Sequence, residues 1–176
     1  MRPATSDFEL WSRVNAADAE ALGLLFKRYQ KSIYNYCFRQ LGDWAAPVDL
    51  SSVVFLEAWR RRDKELVPDF VRAWLFGIAT NVVRNRKRSE RRHRAALLRL
   101  PVEYRTPSHA DDADARLDAE YDMRVILAGL ERLRRSEKEA LALCVWSDLS
   151  YEEAAVALNV PVGTVKSRVA RARQRL

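Results

Sequence analysis

Residues Ser150 to Leu176 read SYEEAAVALNVPVGTVKSRVARARQRL, and two short helical patterns within them set the architecture. Ser150 precedes an apolar-periodic run, and Glu153 follows three residues later. That is the spacing of a capping box, in which the hydroxyl takes a free amide at the helix start and the carboxylate returns a bond. Ala154, Ala155 and Leu158 supply an inward face, and the small alanines let another helix come close. Asn159-Val160-Pro161-Val162-Gly163 breaks the run, with Val160 placed to fill the space between two helices. A second helix is predicted to begin between Val162 and Thr164. Its Val165 and Val169 face inward, and Lys166, Ser167, Arg168, Arg171, Arg173 and Arg175 occupy the other sides. This is a helix–turn–helix pattern whose second helix is basic. The amides at that helix start suit a phosphate. Ser167 and Arg168 are placed for base edges in a major groove, and Arg171, Arg173 and Arg175 for backbone phosphates. The same residues also read as an amphipathic helix with a solvated basic face.

Composition narrows the rest. The chain has 176 residues, 48% of them hydrophobic and 31% charged, with only five Gly and six Pro. That profile favours a helical protein with a core over a sheet sandwich or a disordered chain. The formal net charge of +7 favours polyanion partners. Charge is also unevenly spread. Arg84 to Arg99 holds eight Lys or Arg against Glu90 alone, whereas Glu103 to Asp122 holds seven acids against Arg105 and Arg116. A basic block followed by an acidic one implies separate electrostatic roles. Cys37 and Cys144 lie far apart in apolar patterns and form no CxxC, as expected of buried thiols in a reducing cell. His93 and His109 are the only histidines, and no nucleophile motif, paired carboxylates, phosphate loop or metal-ligand cluster stands out. No enzyme activity, metal or cofactor is expected. The opening MRPATSDFELWSRV has no apolar core before its first charges, so neither a signal peptide nor membrane insertion is expected, and the protein is placed in the cytoplasm.

Periodicity organises what precedes the closing stretch. Asp18 to Arg39 reads as one helix, with Ala21, Leu22, Leu25, Phe26, Tyr29, Ile33, Tyr36 and Cys37 at three- and four-residue steps. Gly42 is a plausible left-handed cap. A second helix follows Pro47 and ends on Arg60-Arg61-Arg62, which suits the negative end of a helix dipole. A third is predicted from Asp69 or Phe70, with Phe70, Trp74, Leu75, Ile78, Val82 and Val83 as its stripe, running on through the basic block to Leu98. Residues 101–116 carry Pro101, Pro107 and acids without a periodic apolar face and read as a flexible linker. A further helix is predicted from Leu117, then a turn at Arg134-Arg135-Ser136 and a helix over Glu137 to Trp146. The expectation is an all-α chain of two small helical domains, an N-terminal bundle over 1–100 and a C-terminal helix–turn–helix domain over 117–176.

At this point the residues resemble a known family. LSYEEAAVALNVPVGTVKSRVARARQRL is similar to the promoter-reading C-terminal domain (region 4) of bacterial RNA polymerase sigma factors of the extracytoplasmic-function group. Independently, LFKRYQKSIYNYCFRQLGDWAAPVDLSSVVFLEAWRRR and FVRAWLFGIATNVVRNRKRSERR resemble that group's region 2. The resemblance runs from about Leu22 to Leu176 in the family's order. It implies a subunit that binds RNA polymerase core and recognises the minus-35 and minus-10 promoter elements, without catalysis of its own. Docking on the clamp helices of the largest polymerase subunit would fall to Asp49, Leu50, Ser51, Ser52, Phe55 and Glu57, with the beta flap as a further contact. Capture of the melted minus-10 strand would fall to Lys64, Arg72, Trp74, Asn81, Arg84, Asn85 and Arg88. Duplex minus-35 DNA would be read by Thr164, Lys166, Ser167, Arg168, Arg171 and Arg173. An anti-sigma factor that clamps both domains is the implied regulator. A single strand is held by a basic groove with surfaces that accept unstacked bases, which suits the basic block. Trp74 also reads as a core residue at helical spacing, and the acidic linker as a plain spacer. Two departures stand out: Ser52-Val53 replaces the family's frequent polar pair, and Asn85 stands where an Asp is common.

The alternatives weighed are a stand-alone helix–turn–helix regulator and an enzyme. A regulator should carry a receiver or ligand-pocket pattern in residues 1–100, and none is evident.

Overall fold

The computed structural model describes residues 5–41, 46–63, 70–97, 129–130 and 132–176, with the backbone alone over 46–49. Every regular element among them is helical, as expected for the all-α class. The helices are α1 (Asp7–Asn15), α2 (Ala19–Leu41), α3 (Ala46–Arg61), α4 (Val71–Leu97), α5 (Arg135–Leu141), α6 (Tyr151–Leu158) and α7 (Val162–Arg175). A single π turn, Ala142–Trp146, follows α5 directly. The linker 101–116, Gly42 and nearly all of the helix expected from Leu117 lie outside the described residues.

The sequence reading did not include α1. Its start is nonetheless written in Ser6 and Glu9. The Glu9 amide donates to Ser6 Oγ at 3.2 Å, and the Ser6 amide donates to Glu9 Oε2 at 2.8 Å. This capping box starts a helix that buries Leu10, Trp11 and Val14. Asp7 then ties α1 to α2 by accepting bonds from Arg28 and Tyr29. Asp18 caps the next helix, its Oδ1 accepting the amides of Glu20 and Ala21 at 2.9 and 3.1 Å.

The spine of the molecule is α4. Its first half is core: Val71, Ala73, Leu75, Phe76, Ile78, Ala79 and Val83 are buried against α2 and α3. Tyr36 and Thr80 share a buried hydrogen bond at 2.7 Å. From Asn85 onward α4 leaves the core, and residues 88–97 are all exposed. Cys37 is fully buried, and burial pushes its thiol up to about 12.

The two halves of the chain are packed together, and this contact is what the sequence reading lacked. The first half of α4 lies along α6. Gly77 makes that approach possible: a Cβ there would sit 3.0 Å from the carbonyl oxygen of Ala157. The closely approached surface of α6 is the small-residue face foreseen in Ala154 and Ala155, both now buried. Polar groups seal the edges. Arg39 Nη1 donates to the Trp146 carbonyl at 3.2 Å, Gln40 Nε2 donates to the Lys138 carbonyl at 3.3 Å, and Arg72 donates to the Ser147 carbonyl. Trp146 and Ser147 stand at the end of a helical segment, where carbonyls lack intrahelical partners, and the guanidinium groups of Arg39 and Arg72 satisfy them. One hydrophobic core therefore runs through both halves, from Leu10 and Trp11 to Val165 and Val169.

The capping box at α6 is formed as read: the Glu153 amide donates to Ser150 Oγ at 3.0 Å and the Ser150 amide to Glu153 Oε2 at 2.8 Å. Ser150→Ala should lower stability by about 1 kcal/mol, the usual worth of such a cap. A urea melt of the full chain followed by circular dichroism checks this.

Candidate nucleic-acid interface

The helix–turn–helix is built from local rules. Asn159 ends α6 in the left-handed region at φ 53°, a conformation Asn tolerates better than most residues. The Val160 amide donates to the Ala155 carbonyl at 3.1 Å and closes the turn. Pro161 precedes α7 in an extended conformation, where the absent N–H costs nothing. Val165, Val169 and Ala172 are buried at i, i+4 and i+7, so α7 can sit only one way on α5 and α6. The turn fixes the entry and the apolar stripe fixes the roll, and together they decide which side chains face out.

The outward set comprises Lys166, Arg171 and Arg173, with Thr164, Ser167 and Arg168 half-exposed beside them. All six residues expected to read duplex DNA therefore lie on the accessible sides of one helix. Arg171 lies back along the helix, its Nε donating to the Ser167 carbonyl at 3.1 Å and its Nη2 to Ser167 Oγ at 3.0 Å. Lys166 Nζ stands 5.8 Å from the centre of the Tyr151 ring. Arg175, expected as a phosphate contact, is engaged within the protein. Its Nη1 meets Glu137 Oε2 at 2.6 Å, and the Glu137 side chain is only 2% exposed. Buried carboxylates require a cation or several donors, and Arg175 is the cation that fits. Arg175 thus fastens α7 to α5.

The side chains expected to hold a melted strand divide into two groups. Asn81, Asn85 and Arg88 are exposed on α4. Asn81 and Asn85 line a groove of about 340 Å³ with Leu50, Val53, Glu57 and Arg61 of α3. Arg72, Trp74 and Arg84 are occupied. Trp74 is half-buried, with its ring edge-to-face against Trp11 at 4.6 Å, which is the core reading of that residue. Arg72 reaches the Ser147 carbonyl. Arg84 makes a two-pronged bond to Glu139 in the other half of the chain, at 2.8 Å from Nε and 2.7 Å from Nη2. That bond raises the Arg84 pKa above its ordinary value. Lys64 lies outside the described residues.

The residues expected to dock on polymerase divide in the same way. Ser51 and Phe55 face inward, 2% and 4% exposed, and Phe55 packs edge-to-face on Phe26 at 4.9 Å. They shape α3 from within and are not surface contacts in this arrangement. Leu50 and Glu57 are half-exposed, Glu57 pairing with Arg60 at 2.8 Å, and Ser52 is exposed. The side chain of Asp49 is outside the described residues. Val53, which from sequence reads as part of the helix's apolar face, is instead 38% exposed, and Leu56, not singled out from sequence, is 55% exposed beside it. The signal was available in the spacing, since Ser52, Val53 and Leu56 fall on one face while Ser51, Val54, Phe55 and Ala58 fall on the other. Among the described residues, no group of three His, Cys, Asp or Glu side chains is placed to hold a metal ion. No described helix is long and apolar enough to cross a membrane.

Comparison with known proteins gives a consistent result. Family models described as Sigma-70 region 2 and Sigma-70, region 4 match residues 25–93 and 123–176. The chain is 30% identical to the RNA polymerase sigma-H factor of Pseudomonas aeruginosa, over 96% of this chain and 90% of that one. It is also 30% identical to the ECF RNA polymerase sigma factor SigC of Mycobacterium tuberculosis, over 90% and 83%. Among solved structures, CnrH in complex with the cytosolic domain of CnrY shares the fold with a TM-score of 0.73 at 22% identity, covering 97% of this chain and 94% of that one. The sigma factor RpoE from Bartonella quintana, in complex with the anti-sigma factor NepR, gives 0.66 at 24% identity, over 87% and 92%.

The division of α7 into a structural and a free arginine is testable. Arg175→Ala strands the buried Glu137 carboxylate and should lower stability by about 1–3 kcal/mol. Arg173→Ala, which removes an exposed side chain with no ion pair among the described residues, should stay within about 0.5 kcal/mol of the parent. Parallel urea melts of the two variants make the comparison.

Proposed function

Because the chain belongs to the RNA polymerase sigma factors of the extracytoplasmic-function (ECF) group, we propose a function for each of its parts. Residues 1–100 serve as region 2, which docks on polymerase core and takes the minus-10 strand. Residues 101–116 are the linker. Residues 117–176 are region 4, which reads the minus-35 duplex. The protein is a promoter-specificity subunit that works in the cytoplasm beside RNA polymerase and performs no catalysis.

The observation that carries this reading is the free basic side of α7, set on a helix–turn–helix whose turn and stripe leave only one roll. A helix about 10–12 Å across fits a DNA major groove. Thr164, Ser167 and Arg168 lie in its first two turns, the part that meets base edges in such docking. Arg171 and Arg173 lie one to two turns further along, on the way to the flanking phosphates. Ser167 gives Arg171 a local resting place, so reaching a phosphate exchanges one set of hydrogen bonds for a charge-assisted one.

For the minus-10 element, Asn81 and Asn85 beside the α3–α4 groove are ready to meet a base, and Arg88 a phosphate. Arg84 joins them only after leaving Glu139. For polymerase, the exposed Ser52, Val53 and Leu56, with Leu50 and Glu57 alongside, form the docking face of α3. The beta flap meets the second half. Apolar side chains at such spacing suit a partner helix, and their exposure stands in for the polar pair the family often carries. An anti-sigma factor is the expected regulator, as the Bartonella relative was solved with one.

Run-off transcription with purified polymerase core tests the function directly: initiation from a cognate genomic promoter is expected only when the protein is added. Failure to bind core and to direct any initiation would sink the reading. The residue assignment has its own test. Arg173→Ala should weaken DNA binding about equally on all sequences and reduce the salt slope by about 1, whereas Arg168→Ala should relax preference at one position. Binding titrations on a panel of single-base promoter variants separate the two outcomes.

A further inference from the structure

A second basic feature shares only Arg84 and Arg88 with that reading. Arg84, Lys87, Arg88, Arg91 and Arg92 on α4, and Arg135 on α5, line one groove of about 360 Å³. It spans the contact between the two halves, and Arg135 belongs to the opposite half from the rest. The groove is therefore complete only while the halves are together. Its nearest acid, Glu139, is already taken by Arg84 and lies 3.7 Å from Arg135. Lys87, Arg88, Arg91 and Arg92 have no ion pair among the described residues.

Such an arrangement is costly when empty. Arg88, Arg91, Arg92 and Arg135 are exposed, and the repulsion falls hardest on the half-buried Lys87, because like charges repel more strongly where water is partly excluded. Burial first, and then the fields of Arg91 and Arg135, hold the Lys87 ammonium below the usual lysine range against the opposing pull of Glu139 and Glu90. An anion in the groove would remove that penalty. Five of the six lining groups are guanidinium forks, whose paired N–H groups match phosphate oxygens two at a time. A compact phosphate chain concentrates several charges within reach of both walls. A nucleic-acid strand spreads one charge per phosphate along its length.

We propose that this groove binds a compact oligophosphate anion between α4 and α5, and that its occupancy favours the closed arrangement of the two halves. A ligand that binds one arrangement shifts the equilibrium toward it by its differential affinity. The sign is opposite to that expected of promoter DNA. Holding a melted strand calls on Arg84 and Arg88, whereas an anion in the groove keeps both beside α5.

The test uses the full chain and inorganic tripolyphosphate as the probe, followed by titration calorimetry. One saturable site is expected. Arg135→Ala and Arg91→Ala should each weaken it by about tenfold or more, the scale of a lost charge-assisted contact. Lys27→Ala, which removes a positive charge elsewhere on α2, should leave it unchanged. Gly77→Val touches none of the charges but places side-chain atoms against the Ala157 carbonyl, so it should also weaken binding by prising α4 from α6. Arg135 is exposed, so its alanine variant is expected to fold whether or not Gly77→Val does. Non-saturating binding, or an affinity unchanged by Arg135→Ala, would overturn the proposal and leave only a basic helix attracting anions. A single-stranded oligonucleotide forms the other arm. Tripolyphosphate should lower its binding to the wild-type chain. If Arg135→Ala weakens the oligonucleotide as much as it weakens tripolyphosphate, the groove belongs to the nucleic-acid track and the proposal falls. Run-off transcription is independent of each of these results.

Discussion

The bidentate bond from Arg84 to Glu139 joins α4, in the front half, to α5, in the back half, and the arrangement of the molecule turns on it. Glu139 is 4% exposed as a side chain, so its charge survives burial only with a cation in contact. Arg135 stands further off at 3.7 Å and is mostly in solvent. Arg84 therefore does most of the neutralising. The guanidinium is also the group best suited to a phosphate, because the same fork fits carboxylate and phosphate oxygens alike. One side chain cannot do both at once. On the proposed function, the contact that closes the protein uses a residue that the melted strand requires, and opening must precede full capture.

Around that bond the two halves fit closely. Gly77 and the small face of α6 bring two backbones into direct contact. The remaining bonds across the joint mostly end on carbonyls: Trp146 from Arg39, Lys138 from Gln40, Ser147 from Arg72. The Trp146 and Ser147 carbonyls, at the end of a helical segment, are also satisfied by water, so exchanging those two bonds carries little penalty. The polar edge of the joint is thus made of contacts that water can replace, which on the proposed function eases its opening.

How much of this was legible in the sequence follows the range of the forces involved. The helix–turn–helix was readable because its signals are local: a Ser-x-x-Glu cap, an Asn and a Pro in the turn, and valines four apart. The three long helices of the front half were readable from period alone, to within two residues at the ends described. The unread α1 had the same Ser-x-x-Glu signal at Ser6 and Glu9, but its nine residues offer only a short apolar period. The π turn at Ala142–Trp146 carries no comparable signal, since it is a packing adjustment within an apolar run. The role of Arg175 and the occupation of Arg84 depend on buried glutamates 38 and 55 residues away. No periodicity reports such pairs. The family resemblance named Phe55 and Ser51 as contacts because they sit in the right motif. The fold shows that they hold the helix from behind while Val53 and Leu56 face outward.

On the proposed function, these placements make the two DNA grips unequal in readiness. The buried side of α7 is Val165, Val169 and Ala172, and its ion pair to Glu137 leaves from the last turn, so the readout residues of its first turns are free in the closed arrangement. The strand grip has Asn81, Asn85 and Arg88 free but Arg84 held. A duplex therefore finds its reader prepared, whereas a melted strand meets a reader that lacks one cation until the halves part. Polymerase docking as proposed, through the outward face of α3, does not draw on that joint, because the main contacts of α3 are with α2 and α4. The order this favours is docking first and opening second, with strand capture completed by the arginine that opening releases.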